Sequence, residues 1–308
     1  MITDAALFEG LSWNPVTDVS GLFAYHFMVN ALIAGTAVAV SASAIGWFMV
    51  IRRQTFSGHT LAVIAFPGAA GAILIGLPAM FGYYAACILG ALVLAAVSAS
   101  DTRSLASESA AIGTVQAFGL ALGYLFISLY GGLLSGYESL LFGTFLGITD
   151  QQVAILIGVT VCALVVVAAL GRPLYFASVD GTVAAANGVP IAALSVGFLL
   201  LLGLAVAATS QITGALLVFA LLVAPAATAQ QITARPARSL ALTVGIALAV
   251  TWLGLAMAYY SIYPVGFYVT SLAFAAYILA RLARAAGEHA SRRPRARVDS
   301  RGEQATTA

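Results

Sequence analysis

The sequence predicts an all-α, polytopic membrane protein with about nine transmembrane helices. Three observations carry that expectation. Hydrophobic residues make up 62% of the chain and charged residues 8%, against about a quarter charged in a soluble globular protein. So little charge cannot cover a folded surface in water. Apolar runs that approach the roughly 20 residues a helix needs to cross a bilayer recur from residue 26 to residue 283. Arginine falls only in alternate connections between those runs, the pattern expected when basic residues stay on one side of a membrane.

The runs follow in order. The first, 26–51, is closed by Arg52 and Arg53, and the second, 60–78, carries Pro67 and Gly68. The third spans 82–99. A fourth, 109–130, follows Arg103 and Glu108, whose carboxylate suits the positive end of a helix. The fifth, 152–170, is followed by Arg172, and the sixth, 191–208, follows Pro190. The seventh, 213–231, contains Pro225 and is followed by Arg235 and Arg238. After the eighth, 239–260, a ninth at 265–283 ends on Arg281 and Arg284. The opposite connections, "GLPAMFG", "YGGLLSGYESLLFGTFLGITDQ", "ATSQITG" and "YSIYPVG", contain no arginine. Arginine retention then places the N-terminus outside and the C-terminus in the cytoplasm.

Three regions result: an extracytoplasmic segment 1–25, a membrane domain 26–284, and a polar, Arg-rich cytoplasmic tail 285–308 expected to be disordered. Segment 1–25 holds Asp4, Glu9 and Asp18 but no arginine, so no removable leader is expected. The tail suits anionic lipid headgroups rather than nucleic acid.

Composition also excludes chemistry. All 13 basic residues are arginine. Without lysine the chain has no G-x-x-x-x-G-K-[ST] loop for ATP and no Schiff-base lysine. Cys87 and Cys162 lie far apart inside apolar runs, as small buried hydrophobes rather than a disulfide or metal pair. No Ser-His-Asp set, paired catalytic acids or H-E-x-x-H occur. The expectation is a path through the membrane, not an enzyme, with no covalently bound cofactor.

Three segments carry candidate function. In "IRRQTFSGHTLAVIAFPGAA", residues 51–70, His59 joins Ser57 and Thr60 in a polar cluster, while Gly58, Pro67 and Gly68 are expected to break helix regularity. An ionisable residue at membrane depth suggests a ligand, whereas one at the interface is simply solvated. The connection 172–194 is too polar to cross. It predicts a short helix around Val183–Ala186, capped by Asp180 and stopped by Asn187-Gly188 before Val189 and Pro190. That helix either docks a partner or simply lies at the interface. Pro225, flanked by Ala224, Ala226, Ala227, Thr228 and Ala229, predicts a kinked, small-faced helix. It serves as a moving pore wall or as ordinary packing. Other polar groups in or beside the spans are Asn30, Gln116, Gln211 and Glu138.

These segments, in this order, resemble the metal-type ABC permease family, the membrane subunits of zinc, manganese and iron importers. "GWFMVIRRQTFSGHTLAVIAFPGAA" is similar to a motif in which paired basic residues lead to G-D-x-x-x-H and then P-G. "SAAIGTVQAFGLALG", "LLFGTFLGIT", "DGTVAAANGVP" and "YPVGFYVTSLAF" resemble further family elements, and "GALLVFALLVAPAATA" is a close match to the family's proline block. The resemblance implies a type II importer permease fold in a bacterial plasma (inner) membrane. It also implies a second copy of the chain around one path, a cytoplasmic ATPase docked at 180–190, and an extracytoplasmic substrate-binding protein. The transported divalent metal would pass His59, with Gln211 a further residue of the path, Asp180, Asn187, Gly188, Val189 and Pro190 in ATPase coupling, and Pro67, Gly68 and Pro225 in the pore wall.

One departure matters. Family members usually carry aspartate where His59 stands and histidine where Val63 stands, two positions four apart on one helical face. Valine coordinates nothing, and loss of the carboxylate removes the hard oxygen that manganese prefers. A metal chelate, haem or corrinoid is therefore the alternative cargo. Two rivals of other classes are an ion-gradient-driven carrier, which calls for inverted repeats and an intramembrane acid, and a membrane scaffold that binds no ATPase.

Overall fold

The structure, a computed structural model, describes residues 20–100, 105–130, 140, 143, 147–214, 218–261 and 263–291. Its elements are all helical: α1 (His26–Ile51), α2 (Thr55–Leu74), α3 (Ala79–Ser100), α4 (Leu105–Tyr130), α5 (Asp150–Val179), α6 (Gly181–Ala186), α7 (Ile191–Thr213), α8 (Val218–Ile232), α9 (Pro236–Tyr259) and α10 (Val265–Ser291). Among the described residues, eight helices are long and apolar enough to cross a membrane, and α8, with 15 residues, is shorter.

Contacts between helix ends show that the long helices alternate in direction. At one face Arg52 meets Ser178 and Ser195, Trp47 meets Ser239, and Arg284 meets Gln231. At the other, His26 meets Asp150 and Tyr25 meets Tyr259. The first is the arginine face. Around the second cluster Tyr25, Phe27, Tyr259, Tyr260, Tyr263, Phe267 and Tyr268, the aromatic composition of a membrane–water boundary.

α1, α2 and α7 are mostly buried, whereas α4 and α5 are peripheral. Close backbone approach builds the centre. Gly46 of α1 faces α8 so tightly that a Cβ there would overlap the Leu222 carbonyl oxygen. Gly68 of α2 and Gly82 of α3 face each other in the same way. Lipid is as apolar as leucine, so helices in it associate through packing and hydrogen bonds, and small residues permit the shortest approach.

Four departures from the sequence expectations have local causes. α2 begins earlier than expected and runs unbroken through Pro67 and Gly68. Pro67 is buried beside Gly119 and Gly123 of α4, and Gly68 packs on Gly82 and Ala86 of α3. The positive φ of Gly76, +79°, follows the end of α2.

α5 continues to Val179 instead of stopping near 170, passing through Pro173. Leu174 is buried and Tyr175 stacks on Trp47 of α1, with ring centroids 6.0 Å apart, so the segment read as a polar loop gains a packed helical face. The connection expected at "ATSQITG" is displaced, because residues 208–213 continue α7 and the span expected from 213 starts later. Thr213 ends α7, Gly214 takes φ +74° and ψ 161°, a conformation essentially restricted to glycine, and α8 is helical from Val218. α10 extends to Ser291, past the boundary at 284 where a tail was expected. Most of segment 1–25, Glu138, half of "LLFGTFLGIT" and residues 292–308 lie outside the described residues.

A paired glycine test checks the close approach. Gly46→Ala is expected to lower stability by about 1–3 kcal/mol through overpacking. At Gly197, whose Cβ would meet nothing within 4 Å, alanine is expected to raise it by about 0.4–1 kcal/mol. Thermal unfolding of the detergent-solubilised protein measures both.

Candidate functional site

His59 stands in the second turn of α2, half-buried. Its ring meets the edge of Phe219 near the start of α8, with centroids 5.2 Å apart and planes at 74°. Among the described residues its nitrogens have no hydrogen-bond partner. Its neighbours are otherwise committed. Thr60 is fully buried and donates to Gln116 of α4 at 3.1 Å, and Gly58 packs on Met49 and Leu202. Val63, four residues on, is buried hydrocarbon. His59 therefore sits where α2 meets α8, the helix that contains Pro225.

Pro225 is buried within an α8 that stays helical on both sides of it. Lacking an N–H, it leaves the Leu221 carbonyl without its usual helical partner. Beside it, Phe219, Ala220, Val223, Ala224 and Ala227 form an apolar groove of about 400 Å³ with Thr270, Phe274 and Tyr277 of α10.

Gln211 does not join His59. Gly58 packs at the level of Leu202, and Gln211 lies nine residues further along α7, about 13 Å toward the arginine-free face at 1.5 Å per residue. Its amide donates to the Ala207 carbonyl at 3.4 Å. No group of three or more His, Cys, Asp or Glu is placed to hold a metal among the described residues. A single copy thus offers one imidazole at His59.

The second location is α6. Asp180 ends α5 and caps α6, accepting from the Val183 N–H at 3.0 Å and from the Thr182 hydroxyl at 2.7 Å. Those bonds to the carboxylate lower its pKa, the Val183 N–H most. A depressed carboxylate pKa means that the cap is complete above the ordinary Asp range and is lost only as pH falls through the folded value. At the other end Asn187 donates to the Val183 carbonyl at 2.8 Å. Gly188 has φ +80°, and the Val189 N–H reaches the Ala184 carbonyl at 3.1 Å. Pro190 then leads into α7. Ala184 is buried, but Gly181–Val183 and Ala185–Gly188 are exposed. α5 and α7 thus hold out a short, capped, exposed helix on the arginine face.

Sequence reasoning missed two polar clusters. Arg52 donates to Ser195 at 2.9 Å, Gln54 at 3.3 Å and Ser178 at 3.5 Å, and lies 5.1 Å from the Phe198 ring centroid. Burial pulls its pKa down. On the other face Asp150 accepts from Asn30 at 2.6 Å and pairs with His26 at 2.8 Å. Each joins residues more than a hundred positions apart, which no local pattern announces.

Comparison with known proteins agrees with this architecture. Residues 24–284 match the ABC 3 transport family. The chain is 31% identical over 211 residues, 68% of its length and 74% of the relative's, to the manganese import system permease protein ScaB of Streptococcus parasanguinis. It is 30% identical over 241 residues, 77% of its length and 83% of the relative's, to a probable iron transport system membrane protein of Haemophilus influenzae. Among solved structures, PsaBC from Streptococcus pneumoniae in complex with Fab superposes with a TM-score of 0.76 at 26% identity, covering 86% of this chain and 94% of that one. With its helical membrane architecture, its capped helix α6 and a match across nearly the whole membrane domain, this chain belongs to the ABC 3 transport family.

Proposed function

We propose that this chain is the membrane-spanning permease subunit of a bacterial ABC importer that moves a divalent transition metal, with ATP hydrolysed on a separate cytoplasmic subunit. One observation carries the reading: α6, capped at both ends and exposed, projects from the arginine face between α5 and α7. A chain with no lysine has no Walker loop of its own, and α6 supplies a rigid surface for a protein that does. Positive-inside retention makes the arginine face cytoplasmic, with the N-terminus outside in a plasma-membrane protein. An extracytoplasmic binding protein would then deliver cargo to the opposite face.

His59 is the path residue in this reading. A second copy would bring a second imidazole, making a nitrogen site suited to a borderline cation such as zinc or iron more than to manganese. A metal chelate, haem or corrinoid is the second reading. It is favoured by the hydrocarbon around His59, where Val63 and Phe219 supply no charge to offset a bare dication.

ATP hydrolysis by the assembled complex, stimulated by the binding protein loaded in turn with zinc, manganese, iron or haem, separates the readings. Stimulation by zinc or iron is expected, and stimulation by haem alone would overturn the free-metal reading. His59→Ala is expected to abolish metal retention and cut transport at least tenfold. Unchanged transport and bound metal would reduce His59 to a bystander. Gly188→Val forces a β-branched residue into the left-handed region, at a cost of roughly 1–2 kcal/mol. Binding of the ATPase, measured by titration, should weaken by about 5–30-fold, while the membrane domain keeps its unfolding temperature.

A further inference from the structure

We propose that Arg52 is the positioning residue through which movement of α6 reaches the helix carrying His59, an inference that rests on the coupling reading above. Its acceptors lie on three elements. Ser178 is in the last turn of α5, two residues before the Asp180 cap of α6, and Ser195 is five residues beyond Pro190, in α7. Gln54 is the N-cap residue of α2. One guanidinium therefore touches both supports of α6 and the start of the helix that holds His59. A planar fork with several N–H groups can span two helices at once, which a lysine ammonium cannot reproduce.

The chemistry of the contacts suits a joint more than a staple. Among the described residues, where His26 pairs with Asp150 and Arg284 with Glu288, no carboxylate pairs with Arg52. It is held by two hydroxyls, one amide oxygen and the face of Phe198. Such neutral acceptors hold a cation less tightly than a carboxylate does. The fork can redistribute between Ser178 and Ser195 as their helices shift, without an ion pair having to break.

The link onward to α2 is short. Arg52 ends α1, and only Arg53 and Gln54 precede Thr55 of α2. The Arg52 and Gln54 N–H groups bond back to the Phe48 and Met49 carbonyls at 2.9 and 3.0 Å, and Arg53 is held at φ +57°. A non-glycine residue keeps that conformation only where its surroundings impose it. The turn therefore has little slack, and displacement of Arg52 carries α2 with it.

The test uses the assembled complex of permease, ATPase and binding protein in lipid vesicles. For Arg52→Ala, the ATPase is expected to co-purify at the wild-type ratio, with wild-type basal hydrolysis and unfolding temperature. Stimulation by loaded binding protein, and transport per ATP, are expected to fall about tenfold, within the range of coupling between sites. Arg52→Lys should restore little of this. A Ser178→Ala/Ser195→Ala double variant, which keeps the arginine, should be uncoupled in the same sense. It decides the matter if Arg52→Ala fails to assemble. Full stimulation in Arg52→Ala, or in the double variant, overturns the inference and leaves the transport reading standing. A wild-type complex that no loaded binding protein stimulates overturns both.

Discussion

Hydrocarbon removes the usual reason for side chains to gather, because lipid solvates leucine as well as another leucine does. Helices in it are held by how closely their backbones approach and by which polar groups meet across them. Here the approaches are set by glycine: Gly46 against Leu222, Gly68 against Gly82, and Gly203 against the Cys87 carbonyl. The first seats α8 on α1. Because α1 leads into α2 through a short turn, the same contact brings Phe219 to His59. The candidate path residue thus depends on a hydrogen atom in place of a methyl group 13 residues earlier.

Polar groups inside the bundle follow the same constraint. Thr36, Ser41, Thr209, Thr228 and Thr243 return their hydroxyls to the carbonyl four residues back, which satisfies them without a neighbouring helix. A smaller set crosses between helices: Trp47 to Ser239, Trp252 to Thr36, Thr160 to the Ala37 carbonyl, and Thr60 to Gln116. Charged groups make such crossings at the two ends of the bundle: Arg52 and Arg284 on the arginine face, and Asp150 on the other. Among the described residues the nitrogens of His59 make neither kind of bond, whereas its neighbour Thr60 donates to Gln116.

Much of the fold was legible because solvent chose it. Apolar run length marks the long helices, arginine marks one face, and Asp180 marks the start of α6. The coupling segment was legible because capping is local: Asp180, Asn187 and Gly188 act on atoms within a few residues. The end of α5 was hidden, because Arg172 and Pro173 look like a boundary while Leu174 and Tyr175 find partners on a distant helix. The break before α8 was legible in "ATSQITG", but its exact place was not: residues 208–213 stay helical in α7, and the backbone turns only at Gly214. Pro67 and Gly68 read as breakers, and tertiary packing uses them as a smooth face.

The sequence by itself determined that this chain lives in lipid, which face carries its arginines, where a capped helix projects, and that ATP is not handled through a Walker lysine. Those follow from transfer free energies and from hydrogen bonds that close within a few residues. Tertiary structure alone decided that Phe219 stands over His59, that Gln211 lies at another depth, and that Arg52 joins α2 to both supports of α6. Such contacts link residues up to about 160 positions apart, and they depend on interhelical distances that many different apolar sequences would permit.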